Sequence, residues 1–161
     1  MAKAPPPTYT IIRDTREQNG WSFPVSSSCL GVKDKALKTG DYTLIGFEDK
    51  FVIERKRNLA EIVNNLREKR FFKELNRLDD FDFPYLFLEF TRQEIVNFPY
   101  GSGIPQKIWP KIRVTPQFLM MKLHEIQLEH PKLHIEFVGQ YGREVASSLF
   151  KRIVEYYGKK Q

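Results

Sequence analysis

The chain has 161 residues, 41% of them hydrophobic and 29% charged, which suits one folded domain and excludes a disordered polyelectrolyte. A single cysteine, Cys29, rules out an internal disulfide and a cysteine-rich zinc site. No apolar run approaches the roughly 20 residues that cross a bilayer. The first seven residues, Met-Ala-Lys-Ala-Pro-Pro-Pro, lack the apolar centre of a signal peptide, so an intracellular protein without a membrane partner is expected. The formal net charge of +6 is concentrated: residues 55–77 hold eight Lys/Arg against three Glu, a local +5. Such a stretch is either a solvated helix face with i,i+4 pairs or a surface for a polyanion.

Residues 1–8, with three consecutive prolines, read as a flexible N-terminal tail, and residues 9–161 as one domain. Residues 9–14 read as a strand ending in Asp14. Residues 18–40, with Asn-Gly, a Ser triplet and further glycines, read mostly as loop. Residues 41–46 and 51–56 pattern as a β-hairpin turned at Phe47-Glu-Asp-Lys50. Asn58 then has the character of an N-cap with Glu61 as its capping-box partner, and Leu59, Ile62, Val63 and Leu66 follow at the spacing of one buried helical face. A second helix is predicted over about 67–79, burying Phe71, Phe72, Leu75 and Leu78 and ended by Pro84. Tyr85 to Phe90 is a short apolar run suited to a strand covered on both faces.

Residues 97–114 are rich in Pro and Gly and show no period, which predicts a long loop. Thr115 caps a helix with Pro116 in its first turn, ending before Pro131. Leu133 to Val138 reads as a strand, and 141–157 as an amphipathic helix burying Val145, Leu149 and Ile153. The alternation of strands and helices indicates an α/β fold with a mixed central sheet flanked by helices.

Chemistry-bearing residues gather at three places. Asp14 ends the first strand, Asp41 opens the hairpin, and Glu54 and Lys56 lie two apart on the returning strand. Side chains on a strand alternate, so Val52, Glu54 and Lys56 face one way and Phe51, Ile53 and Arg55 the other. A hairpin can bring Asp41 beside Glu54, and two carboxylates so close repel unless a cation lies between them. Oxygen donors without sulfur suit Mg²⁺ or Mn²⁺. A neighbouring lysine could orient or deprotonate water, or stabilise charge on a phosphate. His124, His130 and His134 do not form a convincing zinc set, because Pro131 interrupts the helix between the last two. Trp109, among Lys107, Lys111 and Arg113, is compatible with stacking on an unpaired base and equally with packing back onto the domain.

Four stretches then carry a resemblance to the nuclease domain of the XPF family of structure-specific endonucleases. They are Ile11-Ile-Arg-Asp-Thr-Arg-Glu17, Thr39-Gly-Asp-Tyr42, Phe51-Val-Ile-Glu-Arg-Lys56, and Arg70-Phe-Phe-Lys-Glu-Leu75 followed by Tyr85-Leu-Phe-Leu-Glu89. The resemblance implies a restriction-endonuclease-like fold and Mg²⁺- or Mn²⁺-dependent hydrolysis of DNA at branched, flapped or nicked sites. It makes Asp14, Asp41 and Glu54 the expected metal site and Lys56 the residue that positions water. Glu17, Arg16 and Arg55 become supporting residues. DNA would be held by Arg57, Arg67, Lys69, Arg70, Lys73, Arg77, Lys107, Trp109, Lys111 and Arg113. Two departures stand out. The family's Asp four positions after the Lys is here Ala60, with Glu61 next to it, and no helix-hairpin-helix segment is visible for DNA binding and dimerisation. A homodimer or a partner subunit therefore stays open, and a non-catalytic junction-binding subunit is the competing expectation.

Overall fold

The computed structural model describes residues 2–161, so the first residue of the predicted tail lies outside it. Residues 2–8 are exposed and form no regular element. Six strands follow: β1 (Tyr9–Arg13), β2 (Cys29–Asp34), β3 (Tyr42–Leu44), β4 (Phe51–Lys56), β5 (Phe83–Leu88) and β6 (His134–Phe137). They make one sheet in the order β2-β1-β3-β4-β5-β6. The β1–β3–β4 pairings are antiparallel, whereas β2 pairs with β1, and β5 and β6 extend from β4, in parallel. The sheet is therefore mixed, as the α/β alternation predicts.

The helices are α1 (Leu59–Asn65), α2 (Lys69–Leu78), α3 (Arg92–Val96), α4 (Pro116–Glu129) and α5 (Gly142–Gly158). The alternation along β4 sorts them into layers. Val52 joins Leu59, Ile62, Phe71, Leu75, Ile95, Leu119, Leu123 and Ile126 in a core beneath α1 to α4. Phe51 and Ile53 join Trp21, Phe87, Ala146, Phe150 and Ile153 in a second core beneath α5. All six residues of β4 are buried. This central strand thus has apolar layers on both faces at its start and polar residues only at its end.

Local chemistry explains most boundaries. Asn58 Oδ1 accepts the Glu61 N–H at 2.9 Å, capping α1, but the Glu61 carboxylate returns to the Arg57 N–H at 2.8 Å rather than to that of Asn58. Thr115 Oγ1 accepts the Phe118 N–H at 3.1 Å, and Pro116 occupies the first turn of α4, where its missing donor is no loss. On α5 the buried face is Ala146, Phe150 and Ile153, one position on from the predicted Val145 and Leu149, which are half-buried. Phe150 sets this rotation by reaching Tyr9, Phe23 and Phe51.

Two elements depart from the sequence reading. Residues 29–34 form a strand instead of loop, because β2 exists through parallel pairing with the distant β1. It is an edge strand with one fully buried residue, and so lacks an apolar alternation of its own. The short helix α3 was unpredicted, although its capping box, Thr91 with Glu94, is present in the sequence.

The turn into β3 needs glycine. Gly40 has φ of +81°, and a Cβ there would lie 2.1 Å from Val52 Cγ2. Replacing Gly40 with Ala adds the left-handed backbone cost of about 1–2 kcal/mol to that clash. Calorimetry of Gly40→Ala should show a melting temperature lower by at least ~4 °C; an unchanged value would mean that the turn tolerates a side chain.

Candidate active site

The site forms where the hairpin meets the end of β1. The Asp14 N–H donates to the Asp41 carbonyl at 2.8 Å, and the Asp41 N–H donates to the Ile53 carbonyl at 2.8 Å. The Asp41 carboxylate then accepts the Arg55 N–H at 2.7 Å. Backbone hydrogen bonds thereby lock Asp41 against the segment carrying Glu54 and Lys56. These residues line a cleft of about 460 Å³, together with Asp14, Arg16, Glu17, Arg57, Glu61, Asn65, Phe71 and Glu74.

Burial governs the electrostatics. Asp41 is pushed up from 3.8 to about 7, first by desolvation and then by the charge of Glu17. Glu54 lies well above the usual carboxylate range, because it is buried and faces Asp41. Lys56 Nζ sits 2.9 Å from Glu54 Oε1 and 3.7 Å from Glu74 Oε2, and over the Phe71 ring. Burial works to lower its pKa, but Glu54 and Glu74 outweigh that, and Lys56 ends above the ordinary lysine value. Glu17 is raised by burial despite Arg55 at 3.6 Å. Among the described residues, the two buried side-chain polar atoms without a hydrogen-bond partner, Glu17 Oε2 and Asn65 Oδ1, belong to residues that line this cleft.

Arg55 points to the other face of β4, as the alternation predicts. Its guanidinium makes two hydrogen bonds to Glu89, at 2.7 and 3.1 Å, donates to the Asn19 carbonyl at 3.1 Å, and lies over the Trp21 ring. Arg16 donates from Nε to Asp14 Oδ2 at 2.8 Å and from Nη2 to the Leu37 carbonyl at 2.7 Å. Asp14 Oδ1 accepts the Leu37 N–H at 2.8 Å. Both oxygens of Asp14 thus help hold the loop before β3 in place.

Among the described residues no three His, Cys, Asp or Glu side chains converge as a self-sufficient metal cage. The donor set nevertheless fits a hard divalent cation. Buried Glu54 and half-buried Asp41 are adjacent acids that a cation would relieve. Mg²⁺ is commonly held by one or two carboxylates, with water and substrate phosphate completing its shell.

The predicted cations divide. Arg57, Arg70 and Arg77 line the cleft, whereas Arg67, Lys69 and Lys73 are exposed and do not line it. Lys107, Trp109, Lys111 and Arg113 belong to a separate surface. His130 is engaged with Asp79 at 2.8 Å, and His134 stacks on Tyr85. Sequence reasoning missed Glu74, Asn65 and Lys38 as lining residues. Glu74 was detectable: Arg70, Glu74 and Arg77 recur at i, i+4, i+7 as a polar stripe beside the apolar stripe of Phe71, Leu75 and Leu78 on α2.

Comparison with known proteins agrees with this architecture. The ERCC4 domain matches residues 13–145, well over half of the chain. XPF from Aeropyrum pernix superposes with a TM-score of 0.60 at 19% identity, covering 89% of this chain and 60% of that one. XPF from Aeropyrum pernix in complex with DNA superposes with a TM-score of 0.56 at 18% identity, covering 95% of this chain and 66% of that one. The chain thus spans about 60% of the length of the first of these. No curated protein sequence matches it. No helix among the described residues is long and apolar enough to cross a membrane. With the mixed sheet, the Gly40-Asp41 turn and Glu54-Arg55-Lys56 in place, the chain belongs to the ERCC4 domain family and has the restriction-endonuclease-like fold of XPF-type nuclease domains.

Proposed function

We propose that this chain is a divalent-metal-dependent DNA endonuclease acting on branched, flapped or nicked DNA. The observation that carries the reading is half-buried Asp41 facing buried Glu54 beside Lys56, at the foot of a cleft bordered by Arg16, Arg57, Arg70 and Arg77. Family membership supports a nuclease, and the DNA-bound structural relative supports the polymer. Retention of all these acids and of Lys56 counts against a non-catalytic subunit.

Asp41 and Glu54 would hold Mg²⁺ or Mn²⁺, which supplies Lewis-acid polarisation of a phosphodiester and a more acidic water. Asp14 and Arg16 keep the loop that carries Asp41 in register. Lys56, raised in pKa, is an ammonium, so its role is to hold a phosphate oxygen or orient water rather than to remove a proton. The cleft's arginines hold the backbone without reading sequence.

Asp41→Ala and Glu54→Ala should each abolish Mg²⁺-dependent cleavage of flap and fork substrates in a gel assay while DNA affinity persists. Wild-type rates in both would remove the assignment.

The raised acid titrations also set a stability profile. Asp41 binds its proton more tightly folded than unfolded, so its destabilising effect is absent below about pH 4, grows as pH rises beyond that, and is complete above about pH 7. The metal-free protein should melt at a lower temperature at pH 8 than at pH 5, and Mn²⁺ should raise the pH 8 value more. Asp41→Asn should flatten both responses; a variant as pH- and Mn²⁺-responsive as the wild type would contradict the pairing.

Arg70 is 85% exposed on α2 and lines the cleft. Arg70→Ala should weaken binding of all DNA sequences alike and reduce the slope of log affinity against log salt by about 1. An unchanged slope would take α2 out of the contact surface.

A further inference from the structure

The segment between α3 and α4 has a character of its own. From Ile95 to His124 the chain contains no Asp or Glu, but it carries Lys107, Lys111, Arg113 and Lys122. Lys122 pairs with Glu125, whereas Lys107, Lys111 and Arg113 are exposed and have no ion-pair partner among the described residues. Amid them Tyr100 is 66% exposed and Ile108 is 41% exposed. None of these residues lines the acidic cleft.

This segment is ordered from within. Tyr100 and Ser102 donate backbone N–H groups to Asn97 and Pro99, and Ile112 donates to Trp109. Ser102 is buried, and its hydroxyl accepts the Ile104 N–H. Phe98, Ile104, Ile112 and Val114 pack into the same core as α1 and α2. Trp109 acts as the internal clamp: its indole N–H donates to the Ile104 carbonyl at 2.8 Å, and its ring meets Tyr100 edge-on at 4.8 Å. Of the two aromatics, Tyr100 is the one turned outward and braced.

Its place in the fold follows from the parallel register. Lys56 pairs with Leu88, and the Glu89 N–H donates to the Lys56 carbonyl at 2.9 Å. β5 therefore leaves the sheet at the end where Lys56 stands, and α3 and the Tyr100 segment come next.

We propose that Tyr100, braced by Trp109 and flanked by Lys107, Lys111 and Arg113, is a stacking subsite for an unpaired base of single-stranded DNA. An exposed aromatic offers a face to any base, and uncompensated cations meet the adjoining phosphates. A duplex keeps its base faces stacked internally, so the subsite selects a single-stranded arm over the paired stem. The proposal rests on the nuclease reading for DNA as the polymer, but the stacking is separable from cleavage.

The test is fluorescence anisotropy with a labelled oligothymidine, a blunt duplex of equal length and a fork, using the full chain. Tyr100→Ala should weaken oligothymidine and fork binding about 5- to 100-fold and leave duplex binding within about twofold. Tyr100→Phe should retain wild-type affinity, and matching melting temperatures confirm that the variants fold. As a second probe, Lys107→Ala with Lys111→Ala should weaken single-strand binding in a salt-dependent manner. Equal losses on duplex and single strand, wild-type binding by Tyr100→Ala, or no single-strand binding by the wild type would each overturn the subsite. A wild type that binds oligothymidine through Tyr100 yet cleaves no substrate would retain the subsite and reject the nuclease reading.

Discussion

Arg55 is the charge around which the cleft is assembled. It leaves β4 on the face opposite Glu54 and Lys56 and joins two separate pieces of chain: Glu89 after β5, and the loop after β1 through Glu17 and the Asn19 carbonyl. A guanidinium has five donors in a rigid plane, and burial makes each unpaired one costly. Glu89 and the Asn19 carbonyl together accept from Nε, Nη1 and Nη2. Trp21 covers the remaining face of the guanidinium, and its own N–H is held by the Tyr42 hydroxyl at 2.8 Å. The aromatic stack of Trp21 on Tyr42 thus ties the position of Arg55 to the strand that follows Asp41.

The opposite face of the same strand end is arranged against stability. Asp41, Glu54, Glu17 and Glu74 act on one another through a partly desolvated space, with Lys56 as the nearest cation to Glu54. A fold selected for stability alone would replace such acids with apolar side chains, which commonly costs nothing or stabilises. Apolar cores on both faces of β4, filled by residues such as Phe51, Ile53, Leu86 and Phe87, offset the strain locally. The neighbouring structure is therefore stiff where the charges are least comfortable, which keeps the carboxylates from separating.

Much of this was legible in sequence because the signals are local. The alternation Phe51 to Lys56 told which residues share a face, the Asn58 and Thr115 caps marked helix starts, and the hairpin turned at Phe47–Lys50 brought Asp41 to Glu54. What was not legible depends on distant partners. β2 has no apolar rhythm of its own and is defined by β1, twenty residues earlier in register at Tyr9–Cys29. Asp14 is an acid at a strand end in sequence, but its oxygens are directed by Leu37 and Arg16, which only the folded loop supplies. Trp109 could be either stacker or anchor until the Ile104 carbonyl was seen to hold it, and Glu74 becomes a cleft residue only when α2 is laid beside Lys56.

The distribution of charge gives these parts a common logic. The exposed cations Arg57, Arg70 and Arg77 border the cleft, while buried Glu54 and half-buried Asp41 lie at its foot, Asp41 fixed by the Arg55 backbone N–H. A polyanion is drawn to the border but repelled from the floor, and that repulsion disappears only if a cation lies between acid and phosphate. On the proposed reading, binding and metal occupancy would be coupled: phosphate oxygens would complete a coordination shell that two carboxylates leave open, and the metal would neutralise acids that oppose the phosphate. The same geometry explains why Lys56 belongs on the Glu54 face. If a divalent cation drew on the Glu54 carboxylate, Glu74 would still stand beside the Lys56 ammonium, 3.7 Å away. Lys56 would then stay charged through Glu74 and could hold a phosphate oxygen.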